Sequence, residues 1–171
     1  MLRDITKDDL ELVRHWRNAE TVRRAMYNSK KISKDEHEKH FEKIKNTPSI
    51  LWLVFVMDNI DYGVVSFSGV GSHECIWGFY LSDELSGKKA INVWKILETE
   101  AIEYAFKTLA YDKLFCEVFA FNTPVLTMHR KFGFKVISER TMETCNREEN
   151  VIKFCLSKDD YSNSKTNFSK K

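Results

Sequence analysis

The sequence predicts an α/β protein in which helices cover a mixed, mostly antiparallel β-sheet. Two patterns carry this prediction: β-branched and aromatic runs typical of strands, and segments with helical periodicity and capping residues between those runs. A third observation is size, because 171 residues, of which 43% are hydrophobic, suffice for one well-buried core and are too few for two comfortable domains. We therefore expect one domain at residues 1–157 and a polar, disordered tail at residues 158–171.

Composition and charge argue against several classes of protein. The 27 Lys and Arg residues nearly balance the 25 Asp and Glu residues, so the formal net charge is only +2, which argues against a dedicated nucleic-acid binder. No apolar run approaches the roughly 20 residues of a membrane helix, and the charged N-terminus does not resemble a signal peptide. The 4 cysteines have no metal-ligand spacing. We expect a cytoplasmic protein with reduced thiols, no metal, and no nucleic-acid or membrane partner.

Two segments near the N-terminus combine a helix start with an apolar stripe. They follow a short predicted strand at residues 2–5. In "TKDDLELVRHWRN", Thr6 is the expected N-cap and Asp9 follows three residues later. In "ISKDEHEKHFEKIKN", Ser33 and Glu36 have the same spacing, which is typical of a capping box. The sequence therefore predicts two helices before the central strands.

The pattern changes to strands after residue 50. The runs "ILWLVFVM" and "YGVVSFSGV" are joined at "DNID", which predicts a hairpin. A third run, "CIWGFYL", contains Gly78, and a glycine inside a strand often marks a bulge or a close approach of another backbone.

The rest of the chain completes the predicted order of seven strands and about four helices. A long helix in "SGKKAINVWKILETEAIEYAFKTL" is followed by the strand "KLFCEVFAF", a short helix, and a final antiparallel pair. Because a helix separates the strand of Gly78 from the strand of Leu114, these two strands should be parallel. The carboxyl ends of such strands are where α/β proteins bind ligands.

The turn "LSGKKA" starts the long helix and is a candidate anion site. Unpaired amides at a helix N-terminus, its dipole and the side chains of Lys88 and Lys89 would suit phosphates. The alternative is that Gly87 is a plain turn residue and that both lysines are solvated.

The segment "FNTPVLTMHRKFGF" predicts a short helix with well-defined ends. Asn122 or Thr123 is the expected cap, Pro124 suits the first helical position, and Gly133 matches a left-handed C-cap. His129 falls in the last full turn, where it could either donate a proton in catalysis or simply cap carbonyl groups.

Two further groups of residues are candidates for chemistry. Alternation places Glu117 on one strand face with Phe115 and Phe119, so a covered face would raise its pKa and make it a base, whereas a solvated face would make it an ordinary surface residue. Planar and cationic groups follow the first helix and would suit a nucleobase or phosphate, although Trp16 could be core and Arg17 a surface residue. These candidates for binding the acceptor are Arg17, Asn18, Met26 and Tyr27.

The combined pattern resembles the GCN5-related N-acetyltransferase (GNAT) superfamily over roughly residues 2–156. The match in "NTPVLTMHRKFGF" is specific, and "WRN", "GVVSF", "WGFYL", "EYAF" and "CEVFAFN" are similar, in order, to the branch that acetylates a UDP-linked 4-amino-4,6-dideoxy sugar in pseudaminic acid synthesis. One departure is in the phosphate turn, where "ELSGKKAIN" has Glu84 where the family usually has Arg or Gln, and Lys89 where it has Gly or Ala.

The resemblance implies the GNAT fold, with splayed central parallel strands, and acetyl-CoA as co-substrate. The acetyl group would pass directly to an amine, with Glu117 as general base through water and Ser66, His129 as proton donor to the leaving thiolate, and a strand amide as oxyanion donor. The implied cofactor-binding residues are Phe79, Tyr80, Leu81, Gly87, Lys88, Lys89, Ala90, Asn122 and Lys131.

The resemblance also implies a UDP-linked amino sugar as the acceptor, held by a monomer or homodimer. The alternatives are acetylation of a protein N-terminus or of a small amine, and a non-catalytic module that only binds CoA.

Overall fold

The computed structural model describes residues 1–144 and 147–168. Within these ranges the strands are β1 (Leu2–Asp4), β2 (Ile50–Met57), β3 (Ile60–Ser68), β4 (Cys75–Leu81), β5 (Lys113–Phe119), β6 (Lys135–Thr144) and β7 (Arg147–Ser157). The helices are α1 (Leu10–Asn18), α2 (Glu20–Arg24), α3 (Lys34–Lys45), α4 (Gly87–Glu103), α5 (Thr123–Lys131) and α6 (Lys158–Phe168). The strands form one sheet in the order β1-β2-β3-β4-β5-β7-β6, so the predicted seven-stranded mixed sheet is confirmed.

Both predicted helix starts near the N-terminus are capping boxes. Thr6 donates its backbone N–H to Asp9 Oδ2 at 2.7 Å, ahead of a single 3-10 turn and α1. Ser33 donates its backbone N–H to Glu36 Oε2 at 2.7 Å and accepts the Glu36 amide on its hydroxyl at 3.2 Å. Local side-chain chemistry therefore defines where these helices begin. The short helix α2 was not predicted.

The hairpin between β2 and β3 is confirmed, and its turn follows from two residues. Asp58 and Asn59 have φ angles of 52° and 60°, as a type I′ turn requires. Asp and Asn are among the non-glycine residues that tolerate this conformation best.

The predicted irregularity at Gly78 is wrong in its detail. β3 and β4 pair without a register shift through Ser66 and Gly78, so there is no bulge there. A side chain at Gly78 would meet only the Ser66 hydroxyl, at 3.6 Å, so no protein backbone approaches closely either. The irregularity is at the other edge of β4, which no longer pairs with β5 at this point.

β4 and β5 are parallel, as predicted, but they pair only at their beginnings. Cys75 is opposite Leu114 and Ile76 is opposite Phe115, and no later pair follows in the register. The two strands therefore diverge in the middle of the sheet, and the edge of β4 from Trp77 onward is free of strand partners on that side. This splay confirms the expectation drawn from the family resemblance and positions the site.

Helices cover both faces of the sheet. On one face α4 crosses between the parallel strands and buries Leu97, Ala101 and Ile102 completely. A π-helical turn, Tyr104–Thr108, continues it. On the other face α1 packs Val13 and Trp16 against the sheet. None of the helices in the described ranges is both long and apolar enough to cross a bilayer.

The expectation of a disordered tail needs correction over much of its length. Lys158–Phe168 form α6, and Tyr161 is buried with its ring centroid 6.0 Å from that of Phe106. The ring of Tyr161 thus packs against the core although the segment around it is polar. Composition alone does not show this contact. Residues 169–171 of the predicted tail lie outside the described residues, and the domain boundary at 157 stays a prediction.

Candidate active site

A cleft of about 1140 Å³ opens where β4 and β5 diverge. Its walls come from both faces of the sheet, because successive strand residues point to opposite sides. On the side of α4 and α5, Trp77 and Phe79 lie near His129, with ring centroids 5.6 Å and 6.3 Å away. On the other side, Tyr80 packs against the cluster of Trp16 and Val64. The cleft therefore connects the two faces through the sheet.

His129 lies on the α5 side of this cleft and is only 2% exposed. Its Nδ1 is 2.6 Å from Glu98 Oε1 of α4, so its ring pairs with a side chain of another helix. The alternative that His129 caps carbonyl groups at the end of α5 is therefore wrong. The predicted ends of α5 are confirmed, since Asn122 is its N-cap residue and Gly133 has a φ of 96°.

The environment of His129 favours its charged form. Burial lowers the pKa of the imidazole, but the neighbouring Cys116 and Glu98 raise it, and the net effect is a pKa of about 10. The neighbours of His129 thus favour the protonated ring, the form that can donate a proton. Sequence reasoning missed Glu98. The available signal was a carboxylate on the buried stripe of α4, beside Leu97 and Ala101, where an acidic residue is unusual.

Glu117 lies on β5 with its side chain on the opposite face from His129. Its carboxylate accepts hydrogen bonds from the Tyr27 hydroxyl and from Arg140 Nη2, the latter at 3.0 Å. Partial burial raises the pKa of Glu117, but these two bonds outweigh it, so the pKa is lowered. The expectation that a covered Glu117 would have a raised pKa is therefore wrong, because Tyr27 and Arg140, which cover it, donate hydrogen bonds to its carboxylate.

Ser66 lines the cleft on the same side of the sheet as Tyr80. In the antiparallel register it is opposite Gly78, and its hydroxyl donates to the Gly78 carbonyl at 3.3 Å. The absence of a side chain at Gly78 leaves this hydroxyl accessible from the cleft.

The predicted phosphate turn has the expected backbone with one correction. Gly87 has a φ of 56° and is the first residue of α4. By position the amides of Gly87, Lys88 and Lys89 have no carbonyl within the helix to donate to. The Ala90 amide, in contrast, donates to the Ser86 carbonyl at 3.2 Å, so Ala90 does not offer a free amide. The Lys89 ammonium lies 5.0 Å from the centroid of the Tyr62 ring.

The remaining predicted cofactor residues divide into those at the cleft and one outside it. Phe79, Tyr80, Leu81 and Asn122 line the cleft. Lys131 is exposed at the end of α5 and is not among the lining residues, so the geometry does not bring it to the site.

Three of the four predicted acceptor residues line the cleft, and the fourth has a structural role. Asn18 donates to the Ile32 carbonyl at 2.9 Å and accepts the Ile32 amide at 2.8 Å, so both ends of its amide hold the loop before α3. Met26 and Tyr27 line the cleft. Sequence reasoning missed other residues of this wall, namely His37, His40 and Trp52.

Arg17, one of the residues predicted to bind the acceptor, has unused hydrogen-bonding capacity. Its Nη2 donates to the Asn28 carbonyl at 2.6 Å, whereas its Nη1 is buried without a partner. The hydroxyl of Tyr80 is also buried without a partner. Both groups belong to the lining of the same cleft, so both can form hydrogen bonds with a ligand bound there.

Comparison with known proteins gives matches to acetyltransferases. The family model of an acetyltransferase (GNAT) domain matches residues 1–135. Acetyltransferase PseH of Campylobacter jejuni (strain 81-176) is 27% identical over 136 residues, which are 80% of this chain and 83% of that protein.

Two solved structures have the same fold. Spermidine N-acetyltransferase of Vibrio cholerae, solved with CoA and spermine, aligns with a TM-score of 0.84 and 18% identity over 95% of this chain and 97% of that one. Campylobacter jejuni PseH, solved with acetyl coenzyme A, aligns with a TM-score of 0.68 and 22% identity over 92% of this chain and 98% of that one.

Proposed function

Because the chain belongs to the GNAT acetyltransferase family, and is thus an N-acetyltransferase with acetyl-CoA as co-substrate, we propose that its acceptor is a UDP-linked 4-amino-4,6-dideoxy sugar, acetylated on the 4-amino group. The similarity to PseH supports this acceptor over the alternatives. The structural observation that supports it is the half-buried Arg17 in the lining of the cleft, whose Nη1 atom is buried and has no hydrogen-bond partner within the protein.

Arg17 favours an anionic acceptor. Burial of one unpartnered guanidinium nitrogen is costly, and a phosphate or a uracil carbonyl would satisfy it. With Nη2 held by the Asn28 carbonyl, Nη1 can donate a charge-assisted hydrogen bond to the diphosphate of a nucleotide sugar. A polycation would gain nothing from this group and would be repelled by it.

Two of the three acidic residues that line the cleft already accept hydrogen bonds, which argues against a polyamine acceptor. Glu36 accepts the Ser33 amide at 2.7 Å, and Glu117 accepts Tyr27 and Arg140. The third, Asp83, has its Oδ1 3.8 Å from His15 Nε2, which is beyond hydrogen-bond distance. Recognition of spermidine would require several carboxylates that are free to pair with ammonium groups, and two of these three have other donors.

In the proposed mechanism the two faces of the sheet contribute different groups. Acetyl-CoA supplies an acetyl thioester, whose carbonyl carbon the neutral amine attacks. The C–N bond forms, the nitrogen then loses a second proton to solvent, and the C–S bond breaks. Backbone amides near Phe79 and Tyr80 on the free edge of β4 stabilise the negative charge that develops on the carbonyl oxygen. His129 gives its proton to the departing thiolate from the α5 side.

Glu117 accepts the proton of the acceptor ammonium from the opposite face, through water and Ser66. Because its pKa is lowered, it is a weaker base than the sequence predicted. It therefore suits an amine of modest pKa, such as a sugar amine flanked by electron-withdrawing oxygens, better than an alkyl ammonium with a pKa of about 10.4. This difference is a second reason to prefer the amino sugar.

A panel of acceptors tests the proposal. The purified chain is incubated with acetyl-CoA and, separately, a UDP-4-amino-4,6-dideoxy sugar, the same sugar without UDP, spermidine, and a peptide with a free N-terminus, while thiol release is recorded. We expect the highest kcat/KM with the UDP-linked sugar. Preference for spermidine or the peptide would move the assignment to those acceptors. Saturable binding of acetyl-CoA without turnover on any acceptor would indicate a binding module.

A further inference from the structure

Glu98 and His129 form a buried pair between the two helices that flank the cofactor side of the cleft. Glu98 is 0% exposed and His129 is 2% exposed, and 2.6 Å separates Glu98 Oε1 from His129 Nδ1. Both carboxylate oxygens of Glu98 are occupied, because Trp94 Nε1, one turn earlier on α4, donates to Oε2 at 2.9 Å. The Glu98 carboxylate is therefore fixed by Trp94 through one oxygen, and through the other it fixes Nδ1 of the imidazole.

This arrangement determines which ring nitrogen of His129 is left for chemistry. Glu98 engages Nδ1, and the Cys116 thiol is a second hydrogen-bonding neighbour of the ring, so Nε2 is the nitrogen that a ligand in the cleft can reach. His129 lines the cleft beside Trp77 and Phe79. Two of the rings around it, those of Trp77 and Phe134, with centroids 5.6 Å and 5.0 Å away, limit how far the imidazole can turn.

We infer that Glu98 is a positioning residue for the transfer, which holds the imidazolium of His129 so that its Nε2–H faces the sulfur of the bound thioester. The inference rests on the proposed function, in which His129 protonates the leaving thiolate. The proton moves from Nε2 to sulfur as the C–S bond breaks, and solvent later restores it. Glu98 keeps its negative charge throughout and touches no substrate.

Stability alone does not explain a buried carboxylate at this place. A buried ion pair is often no more stabilising than apolar side chains of the same volume, because two charges must be desolvated. Apolar residues surround the pair, including Leu97 and Ala101 on α4 itself. The position would therefore suit Leu or Met if packing were its only purpose.

The charged and titratable neighbours of His129 are few. α4 contributes Glu98 and β5 contributes the Cys116 thiol, and both raise the pKa of His129. β4 and β7 contribute aromatic rings, those of Trp77, Phe79 and Phe154. A change at Glu98 thus removes the one carboxylate that those contacts place against the imidazole.

The test compares Glu98→Gln, which removes the charge, with Glu98→Asp, which keeps it. Glu103→Gln is the matched control, because Glu103 lies on the same helix and pairs with Lys107 at 2.8 Å on the surface. The readouts are the imidazole ¹⁵N shifts of His129 against pH, assigned among the 5 histidines with His129→Gln, and the pH profile of kcat for thiol release.

The ¹⁵N shifts of the wild-type chain should show a charged His129 ring at neutral pH. In Glu98→Gln the titration should move down by about one to three pH units, and the basic limb of kcat should move with it, while KM for acetyl-CoA changes less than about twofold. Glu98→Asp should restore part of both shifts, and Glu103→Gln should match the wild type.

A lower melting temperature of Glu98→Gln with unchanged titration and pH profile would overturn the inference and leave Glu98 a packing residue. A neutral wild-type ring at pH 7 would overturn it without any variant. If no acceptor is turned over, the proposed function fails, and the ¹⁵N titration still decides whether Glu98 holds and charges His129.

Discussion

Tyr27 donates a hydrogen bond from its hydroxyl to the carboxylate of Glu117, although 90 positions separate the two residues in the chain. This bond joins the loop after α2, which contains two residues predicted to bind the acceptor, to β5, which borders the splay. The ring of Tyr27 also meets Phe119 edge to face, at 5.5 Å between centroids. This loop and the proposed base therefore form one unit.

Replacing Tyr27 by Phe tests this unit. Loss of the hydroxyl removes a donor that lowers the pKa of Glu117, so the pKa should rise and the acidic limb of kcat/KM should move to higher pH. The control is Tyr111→Phe, which loses hydrogen bonds to Gly69 and Gly71 away from the cleft. An acidic limb that stays in place in Tyr27→Phe would show that Glu117 does not control the reaction.

Replacing Arg17 by Lys should weaken binding of the sugar nucleotide and leave acetyl-CoA binding nearly unchanged. Lys keeps the charge but lacks the planar fork, so the apparent KM for the UDP-linked sugar should rise by roughly tenfold or more. Steady-state kinetics with each substrate varied in turn measures both effects. A defect confined to acetyl-CoA, or equal activity on the sugar without UDP, would remove the support that Arg17 gives to a nucleotide-linked acceptor.

Binding of acetyl-CoA at the turn that starts α4 should stabilise the folded chain. Saturation at about 100 times the dissociation constant should stabilise the fold by roughly 2.7 kcal/mol, measured as a rise in melting temperature. The double change Lys88→Glu and Lys89→Glu should reduce this rise, and more strongly at low salt than at high salt because salt screens exposed charges. A salt-independent effect would indicate that the two lysines act through the structure of the turn.

Replacing His129 by Phe should lower turnover by about 10-fold to 1000-fold, because the change removes a positioned acid and keeps an aromatic ring of similar bulk. Thiol release at saturating substrates measures the loss. Circular dichroism and the melting temperature separate it from unfolding. Unchanged turnover with an unchanged pH profile would exclude His129 as the proton donor.

The pair of Glu98 and His129 should also make stability depend on pH. A histidine whose pKa is about 10 in the folded chain, against an ordinary value of 6.5, binds more protons folded than unfolded between these values. The unfolding free energy that it contributes is thus fully present below about pH 6.5 and is lost as the pH rises toward 10. Urea titrations of wild type and Glu98→Gln should show a smaller decline for the variant, and equal declines would contradict a raised pKa.

Much of the fold could be predicted because its signals are local. Thr6 with Asp9, and Ser33 with Glu36, mark helix starts through bonds that span three residues. The parallel pairing of β4 and β5 follows from the long helix between them. Neither the bulge nor the close backbone approach predicted at Gly78 is present, because the irregularity is the divergence of two strands, which is not a property of either strand alone.

The sequence by itself determined the seven strands, the starts of α1, α3 and α5, the acetyltransferase family, and the position of His129 in the last turn of α5. Those features depend on periodicity, capping chemistry and spacing, which act between residues near in the chain. Only the tertiary structure decided the electrostatics of the site. It brought Tyr27 and Arg140 to Glu117 and so lowered a pKa that was expected to rise, and it brought Glu98 to His129 across 31 positions. A pKa depends on burial and on charges within a few ångströms, and neither is visible until the chain is folded.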